Sequence, residues 1–409
     1  MSLSPRIQAT PREQLELLRR GTDSIVSEEE LLSRLERSAK EGKPLQVKLG
    51  LDPTAPDIHL GTAVVLRKLR QFQDFGHQVI VIIGDFTAMI GDPSGKSEIR
   101  RQLTPEEVRA NAHTYEEQYT KILDPERTRV VFNSEWLWPM TFHDVVLLAA
   151  KATVARVLER DDFQKRLQEG RPLGVHEILY PLCQAYDSVV LKADVEMGGT
   201  DQRFNILMGR DLQREYGQEP QVALFMPILP GLDGVQKMSK SLGNYVGVSE
   251  PPDQQFGKLM SISDELMPTY FELCTDIPMD EVRRLLGGHP MEAKKRLARE
   301  VVRIYHGETA AVRAQEEFER VHSQRALPEE MPDLLVPASA LKDGRLWIVR
   351  AVSLLTGQGT GEARRLIRGG GVSLNGQRVT DEDMEFTLAG GEVLQVGRRQ
   401  FARLRKDPL

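Results

Sequence analysis

Three short segments in the first third of the chain have the hydrophobic pattern of buried strands. Gln78–Ile83 is almost entirely apolar, which is typical of a strand that is covered on both faces of a sheet. Leu45–Leu51 and Arg129–Phe132 are also mainly apolar, although each contains polar residues. All three lengths fit ordinary strands and are too short for typical helices.

Between and around these strands the apolar residues follow a helical spacing. One predicted helix carries its apolar face on Val64, Val65, Leu69 and Phe72, and Gly76 ends it. Capping boxes at Thr10–Glu13 and Ser27–Glu30 predict two earlier helices, the second ending at Gly42. Thr104–Glu107 predicts the start of another.

The alternation of strands and helices predicts an α/β fold, with a Rossmann-like, doubly wound parallel sheet in a catalytic domain over residues 1–245. Residues 246–326 have little strand pattern and predict a helical domain. Residues 327–342 contain prolines and acidic residues, so we predict a linker. Residues 343–409 are rich in glycine and arginine and predict a small α+β domain.

Composition narrows the class of protein. The net charge of −6 over 409 residues disfavours a generally basic nucleic-acid binder, yet basic residues outnumber acidic ones from Lys342 to Leu409. With only Cys183 and Cys274, a disulfide framework is excluded. The first residues lack the apolar core of a signal peptide, and the longest strongly apolar run, Val79–Ile83, is far short of the ~20 residues of a membrane span. We therefore expect a cytoplasmic protein without a membrane segment.

The most specific segment is Lys237-Met-Ser-Lys240-Ser241, a polar loop flanked by glycines. Its two ammonium groups suit a clamp for a triphosphate. Upstream, His59-Leu-Gly61-Thr62 opens the predicted helix, whose free N–H groups and dipole attract phosphate. His59 can donate to a phosphate oxygen, and Gly61 leaves room for a base. Each segment alone fits an ordinary loop, but the pair in this order is the signature of class I aminoacyl-tRNA synthetases.

A third segment contains Asp92, Lys96 and Arg100. It is not a P-loop, because a Walker A motif ending at Gly95-Lys96 needs a glycine where the chain has Ile90. Asp92 could instead hold a substrate ammonium, and the two cations could meet phosphate.

Tyr180, Gln184 and Asp187 share one face of a predicted helix. Such a polar wall could hold an amino acid's ammonium group and a side-chain hydroxyl, although a surface stripe would have the same pattern. The Gly198–Gln202 segment follows, where glycines allow close ligand approach. Asp201 suits ribose hydroxyls, and Gln202 suits a carboxyl or carbonyl group. The histidines and cysteines have no metal-ligand spacing, so we predict no structural metal and expect Mg²⁺ only together with ATP.

Together these motifs resemble the bacterial tyrosyl-tRNA synthetases from about Leu45 to the C-terminus. The resemblance implies that L-tyrosine and ATP form tyrosyl-adenylate and that the tyrosyl group passes to tRNA(Tyr). It places Asp92, Tyr180 and Gln184 at the α-amino group, Asp187 at the phenol and Asp201 at the ribose. The remaining residues matched to family motifs are Asp52 and Gln202 near tyrosine, Thr54 and Gly199 near ATP, and Thr62, Lys96, Arg100, Lys237 and Lys240 near the phosphates.

Two positions depart from the family pattern. Thr62 stands where histidine or asparagine usually ends the first signature, and Lys48 stands where many relatives have a tyrosine that touches the substrate hydroxyl. A threonine can donate one hydrogen bond but carries no charge. Lys48 either points elsewhere or changes the contact with the hydroxyl.

The C-terminal region resembles an S4-type RNA-binding domain, which implies that Arg364, Arg365 and Arg368 meet RNA phosphates. The family also implies a homodimer. The apolar stretch Val145–Ala150 is a candidate contact, although it could equally be core.

Three other functions stay open from the sequence. Tryptophan activation on the same scaffold is disfavoured by Asp187. A non-catalytic RNA-binding relative is disfavoured by the intact His59, Lys237 and Lys240. A small-molecule nucleotidylyltransferase would not need the S4-like domain.

Overall fold

The computed structural model describes residues 8–51, 58–92, 104, 118–323, 331–342, 344–397 and 400–407. The chain forms two compact units, Met1–Val312 and Arg313–Leu409. In the described residues, the first unit contains one β-sheet and the second contains two.

The first unit is organised around a six-stranded sheet in the order β1-β6-β5-β2-β3-β4. All neighbouring strands run parallel except β1, which is antiparallel to β6. The strands are β1 Ser24–Val26, β2 Gln46–Leu51, β3 Gln78–Ile83, β4 Thr128–Phe132, β5 Val195–Gly199 and β6 Val222–Met226. The predicted doubly wound α/β sheet is confirmed.

Helices cover this sheet and continue beyond it. Those up to β6 are Pro11–Arg19, Glu28–Glu41, Leu60–Asp74, Asp85–Ile90, Ser134–Leu137, Phe142–Ala149, Val154–Val157, Asp161–Gln168, Val175–Leu191 and Arg203–Glu215. After β6 the chain is helical, as predicted, with Pro252–Met260, Met267–Cys274, Met279–Leu286, Pro290–His306 and Glu308–Ser323.

Local sequence signals account for several of these boundaries. Thr10 accepts from the backbone of Glu13 while the Glu13 side chain accepts in return, so the predicted capping box forms. Gly42 ends the second helix with φ 67°, a left-handed conformation that favours glycine. β3 spans the predicted residues and is buried from Val79 to Ile83. The helix predicted from Thr104 lies outside the described residues beyond its first position.

Two long helices pack over the sheet and position the polar wall. Val175–Leu191 lies against Arg203–Glu215 through an apolar cluster that includes Leu182, Ala185 and Met208. This packing holds the polar face of Val175–Leu191 in a fixed orientation over β2 and β5.

The second unit contains a five-stranded sheet, β11-β10-β13-β14-β7, and a three-stranded sheet, β12-β9-β8. Its strands are β7 Asp333–Val336, β8 Leu341–Lys342, β9 Arg345–Trp347, β10 Val372–Leu374, β11 Gln377–Val379, β12 Glu385–Thr387, β13 Val393–Val396 and β14 Gln400–Lys406. Helices Ile348–Thr356 and Thr360–Arg368 share one apolar core with these strands.

The segment predicted to be a linker contains regular structure. Within residues 327–342, Asp333–Val336 forms a parallel pair with β14. Its alternating residues contribute to the core through the fully buried Val336. Two of the prolines that suggested a linker, Pro332 and Pro337, flank this strand. Within the described residues, none of the helices is long and apolar enough to cross a membrane.

Candidate active site

His59 occupies the N-cap of the helix Leu60–Asp74. Its Nδ1 accepts a hydrogen bond from the backbone N–H of Thr62 at 3.4 Å. Burial, with a smaller contribution from the Lys237 charge, lowers the pKa of His59 to about 4. The ring is therefore neutral near pH 7, and because Nδ1 accepts, Nε2 carries the proton and is the donor.

The two signatures meet through backbone hydrogen bonds. Leu60 N–H donates to Val246 O at 2.9 Å, and Val248 N–H donates to Ile58 O at 3.0 Å. His59 is thereby bridged to Gly247, just beyond the lysine loop. Segments about 180 residues apart in sequence thus share one short antiparallel ladder.

Gly61 leaves room for the ring of His59, and the loop packs against this helix at Met238. A Cβ atom at Gly61 would lie 3.5 Å from Met238 Cβ and 3.1 Å from the ring of His59. Met238 is buried, although the loop around it is largely exposed. The methionine between the two lysines is therefore the anchor of the loop.

Asn244 fastens the other side of the loop. Its Oδ1 accepts from Ser239 N–H at 2.8 Å, and its Nδ2 donates to Lys237 O at 3.1 Å and to Asp233 Oδ2 at 2.6 Å. One buried side chain thus links Lys237 and Ser239 of the loop to Asp233 of the preceding turn. The flanking glycines suggest a flexible loop in the sequence and give no sign of this restraint.

The lysine side chains lie beside the helix start. Lys240 Nζ lies 5.8 Å from the centroid of the Tyr245 ring, and burial lowers its pKa. The charge of Lys237 acts on His59 and on Asp201, whose pKa is raised mainly by burial and lowered in part by Lys237. The cations, the neutral imidazole donor and Asp201 thus belong to one electrostatic environment.

Asp92 and Gln202 are held together on the neighbouring side. Gln202 Nε2 donates to Asp92 Oδ2 at 2.8 Å, and Asn205 Nδ2 donates to Gln202 Oε1 at 3.0 Å. Arg160, which is buried, donates to Asn205 Oδ1 at 2.9 Å and lies 3.9 Å from Asp92. Asp92 follows the short helix Asp85–Ile90 rather than β3 directly, but the network returns it to Gln202 at the end of β5.

The polar wall lies on the helix Val175–Leu191 as predicted. Tyr180 and Asp187 are buried, and Gln184 is half-buried. Asp187 Oδ1 accepts from Trp136 Nε1 at 2.8 Å. Burial is the main cause that raises the pKa of Asp187 to about 7, while Lys48, Trp136 and Asn133 act in the opposite direction.

Lys48 does not reach solvent. Its Nζ lies 2.9 Å from Glu196 Oε1, and both side chains are about 1% exposed. This buried pair lies in paired positions of β2 and β5, beneath the helix that carries Gln184 and Asp187.

The structure describes most, but not all, of the predicted site. The predicted active-site residues that it describes all lie in the first unit: His59, Gly61, Thr62, Asp92, Tyr180, Gln184, Asp187, Gly199, Asp201, Gln202, Lys237 and Lys240. The predicted residues Asp52, Thr54, Lys96 and Arg100 lie outside the described residues, so their roles stay predictions. Among the described residues, no group of three or more His, Cys, Asp or Glu side chains could hold a metal ion.

Sequence reasoning missed four residues that support the site: Asn244, Trp136, Arg160 and Glu196. Glu196 could have been found, since it is a lone carboxylate in an otherwise apolar strand and Lys48 is a lone cation in the strand that pairs with it. Trp136 and Arg160 act through contacts between distant segments. Asn244 acts on residues 5 to 11 positions earlier, but an asparagine after a glycine has no pattern that predicts those contacts.

Comparisons with known proteins show which family this chain belongs to. Residues 40–323 match the profile of the class I tRNA synthetases (W and Y), and residues 359–393 match the S4 domain. A tyrosine–tRNA ligase of Moorella thermoacetica is 60% identical over 96% of this chain and 95% of its own length. The chain belongs to the tyrosine–tRNA ligases. Another member, from Aquifex aeolicus, is 53% identical over 97% of this chain and 99% of its own length.

Solved structures of this family share the fold. A tyrosyl-tRNA synthetase from Archaeoglobus fulgidus, complexed with L-tyrosine, has a TM-score of 0.60 and 25% identity, covering 75% of this chain and 99% of its own. A truncated mitochondrial tyrosyl-tRNA synthetase from Aspergillus nidulans has a TM-score of 0.63 at 20% identity, covering 77% of this chain and 94% of its own. The latter supports the fold alone.

The S4 match includes all three predicted RNA-binding arginines. Arg364 lies 5.4 Å from the centroid of the Trp347 ring. Arg365 pairs with Glu362 at 2.5 Å, and Arg368 pairs with Glu382 at 2.6 Å. Two of the three guanidinium groups are thus exposed and paired with acidic side chains in the free protein.

We predict that Asn244→Ala loosens the lysine loop without disturbing the tyrosine wall. The backbone N–H of Ser239 and the carbonyl of Lys237 would lose their partner, so the ammonium groups would be less well positioned. In tyrosine-dependent ATP–pyrophosphate exchange we expect a rate loss of about tenfold or more with a raised KM for ATP. Val235→Ala, on an 87% exposed side chain of the same loop, is the control. An Asn244→Ala enzyme with unchanged ATP kinetics would show that this anchor is dispensable.

Proposed function

We propose that this chain activates L-tyrosine with MgATP to give tyrosyl-adenylate and pyrophosphate, and then transfers the tyrosyl group to tRNA(Tyr). The observation that carries the proposal is the bridge between His59 and the segment after the lysine loop, in the same compact unit as the helix that carries the polar wall. Mg²⁺ enters bound to the nucleotide, as part of the substrate. Because the product serves protein synthesis, we place the reaction in the cytoplasm.

In the first step a tyrosine carboxylate oxygen attacks the α-phosphorus of ATP. The new oxygen–phosphorus bond forms as the bond to the β-phosphate oxygen breaks, and pyrophosphate leaves. No protein nucleophile is needed, so catalysis comes from positioning and charge stabilisation. His59 donates through Nε2–H, and Lys237 and Lys240 supply positive charge to the departing phosphates.

Thr62 has a different role from the charged groups. Its backbone N–H fixes His59 Nδ1 as an acceptor, which leaves Nε2–H for the nucleotide. The contribution that we assign to Thr62 is therefore orientation of the histidine as well as one possible hydroxyl donor. Thr54, Lys96 and Arg100 keep their family roles at the phosphates, Asp52 its role at tyrosine and Gly199 and Asp201 theirs at the nucleotide.

The amino acid is held at both ends. Asp92, Tyr180, Gln184 and Gln202 meet the ammonium and carboxyl groups, and Asp187 accepts the phenol O–H. A pocket that hydrogen-bonds a substrate hydroxyl rejects the analogue without it, because buried polar groups would stay unpaired; tyrosine against phenylalanine in this family is itself the established case. The same carboxylate disfavours the larger indole of tryptophan.

In the second step a hydroxyl of the tRNA's terminal adenosine attacks the activated carbonyl, and AMP leaves. We assign tRNA contacts to the helical domain at 246–326 and to Arg364, Arg365 and Arg368 of the domain at 343–409. Exchange of the intramolecular carboxylate partners for RNA phosphate would make this contact sensitive to salt.

We predict that Lys240→Ala slows tyrosyl-adenylate formation about 10²- to 10³-fold, comparable with the loss of one preorganised donor. The rate should be measured in a single turnover with pyrophosphate release as the readout. Lys165→Ala is the control, because Lys165 is exposed on another helix of the same unit. An unchanged single-turnover rate would remove Lys240 from the proposed machinery.

We also propose that the enzyme is a homodimer. Several apolar side chains on and beside the helix Phe142–Ala149 are exposed: Trp138, Phe142, Val146, Leu147, Val154 and Val175. They border a small apolar groove lined by Phe86, Met140 and Leu179. A contiguous apolar surface of this kind is typical of a protein interface.

Light scattering should give a particle of about twice the 46.1 kDa chain. Leu147→Asp places a carboxylate in the apolar surface and should lower the mass toward that of one chain. Lys40→Asp, at an exposed position of the helix Glu28–Glu41, should not. A wild-type mass of one chain would refute the dimer.

A further inference from the structure

The buried pair Lys48–Glu196 is not used by the mechanism above, although it lies directly beneath the tyrosine wall. Burying two charges costs free energy that a close ion pair recovers only in part. A well-packed apolar pair would fill the same space at lower cost. A specific benefit from this pair is therefore expected.

Glu196 connects the pair to the wall. Gln184 Nε2 donates to Glu196 Oε1 at 3.3 Å, and Ser188 Oγ donates to Glu196 Oε2 at 3.1 Å. These two partners flank Asp187 on the helix Val175–Leu191. Glu196 therefore fixes the helical turn from which Asp187 projects.

Neighbouring elements close tightly around this carboxylate. Gln221 Nε2 also donates to Glu196 Oε2. A Cβ atom at Gly209 would lie 2.6 Å from Gln221 Nε2 and 3.2 Å from Glu196 Oε2. Glycine at this position lets the helix Arg203–Glu215 press onto the network and exclude water.

Lys48 has donor capacity that its contact with Glu196 does not use. Its Nζ is buried and, within the described residues, makes no aligned hydrogen bond, so the 2.9 Å contact is ionic. Buried donors in proteins are normally satisfied. The charge of Lys48 lowers the pKa of Asp187. We therefore expect the further acceptor for Lys48 at the Asp187 end of the pocket.

We propose that Lys48 and Glu196 are a positioning pair for tyrosine recognition: Glu196 holds Gln184 and Lys48 in place, and Lys48 supplies the positive charge that keeps Asp187 an acceptor for the substrate phenol. This inference deepens the proposed function and rests on the assignment of Asp187 to the phenol. It explains why a lysine can stand where many relatives have a tyrosine that touches the hydroxyl.

The groups that face Asp187 define what a pH experiment reports. Lys48 on β2 favours the carboxylate, as do Trp136 and Asn133, while Glu196 on β5 disfavours it. Cys183 lies on the same helix, and burial raises its pKa to about 12, so it stays a neutral thiol. Since Asp187 has a pKa of about 7, the KM for tyrosine should be lowest above pH 7 and rise as the pH falls below it.

The test measures the KM for tyrosine from about pH 5.5 to about pH 9 in ATP–pyrophosphate exchange at saturating MgATP. Lys48→Met removes the cation, so the inflection should move upward by about one pH unit or more, raising KM at pH 7 about fivefold or more. Glu196→Gln removes the opposing anion, so the inflection should move downward. The KM for ATP should stay close to the wild-type value in both variants.

Opposite shifts distinguish positioning by charge from a merely structural role, which would weaken tyrosine binding in both variants without moving the inflection. Shifts in the same direction, or no shift in folded Lys48→Met protein, would overturn the proposal. Lys43→Met is the matched control, because Lys43 forms an exposed pair with Glu41 just before the same strand.

A double variant covers the case in which a single substitution prevents folding. Lys48→Met with Glu196→Gln removes both members of the buried ion pair, and its inflection should lie above the wild type and below Lys48→Met. An unshifted inflection in the double variant would also overturn the proposal. Asp187→Asn should abolish the inflection. An inflection that persists in this variant would refute the assignment of Asp187 to the pocket, and not the role of the Lys48–Glu196 pair.

Discussion

The antiparallel contact between the first helix of the nucleotide site and the segment after the lysine loop is the constraint on which the active site depends. Two backbone hydrogen bonds join the start of the helix Leu60–Asp74 to the segment after the lysine loop. One is between Leu60 and Val246, and the other is between Val248 and Ile58. Without this ladder the imidazole of His59 and the ammonium groups of the loop would have no fixed relation. Catalysis by positioning requires that relation before the nucleotide binds.

Electrostatics then divides the proposed site into two ends, one assigned to the nucleotide and one to tyrosine. At the nucleotide end, burial keeps His59 neutral while Lys237 and Lys240 carry the charge. At the tyrosine end, burial raises the pKa of Asp187, and Lys48 and Trp136 oppose that rise. Burial thus keeps His59 an uncharged donor at one end. At the other end it disfavours the charged form of Asp187, which Lys48 and Trp136 favour.

Much of this arrangement was predictable because its signals are local. The apolar strand Gln78–Ile83, the capping box at Thr10 and the spacing of Tyr180, Gln184 and Asp187 each depend on residues close in sequence. The partners of Asp187 were not predictable, because they depend on contacts between segments far apart. The restraint by Asn244 was not predictable because it depends on how the turn before the lysine loop folds back. The strand Asp333–Val336 was missed for the same reason: its identity comes from pairing with β14, while its flanking prolines indicate a loop.

The central claim is that this site activates tyrosine, and amino-acid-dependent ATP–pyrophosphate exchange tests it most directly. Tyrosine, tryptophan and phenylalanine should be compared at equal concentration with the full-length enzyme. We expect exchange with tyrosine alone. Exchange with tryptophan in preference to tyrosine, or no exchange with any of the three in folded protein that binds tRNA(Tyr), would contradict the account.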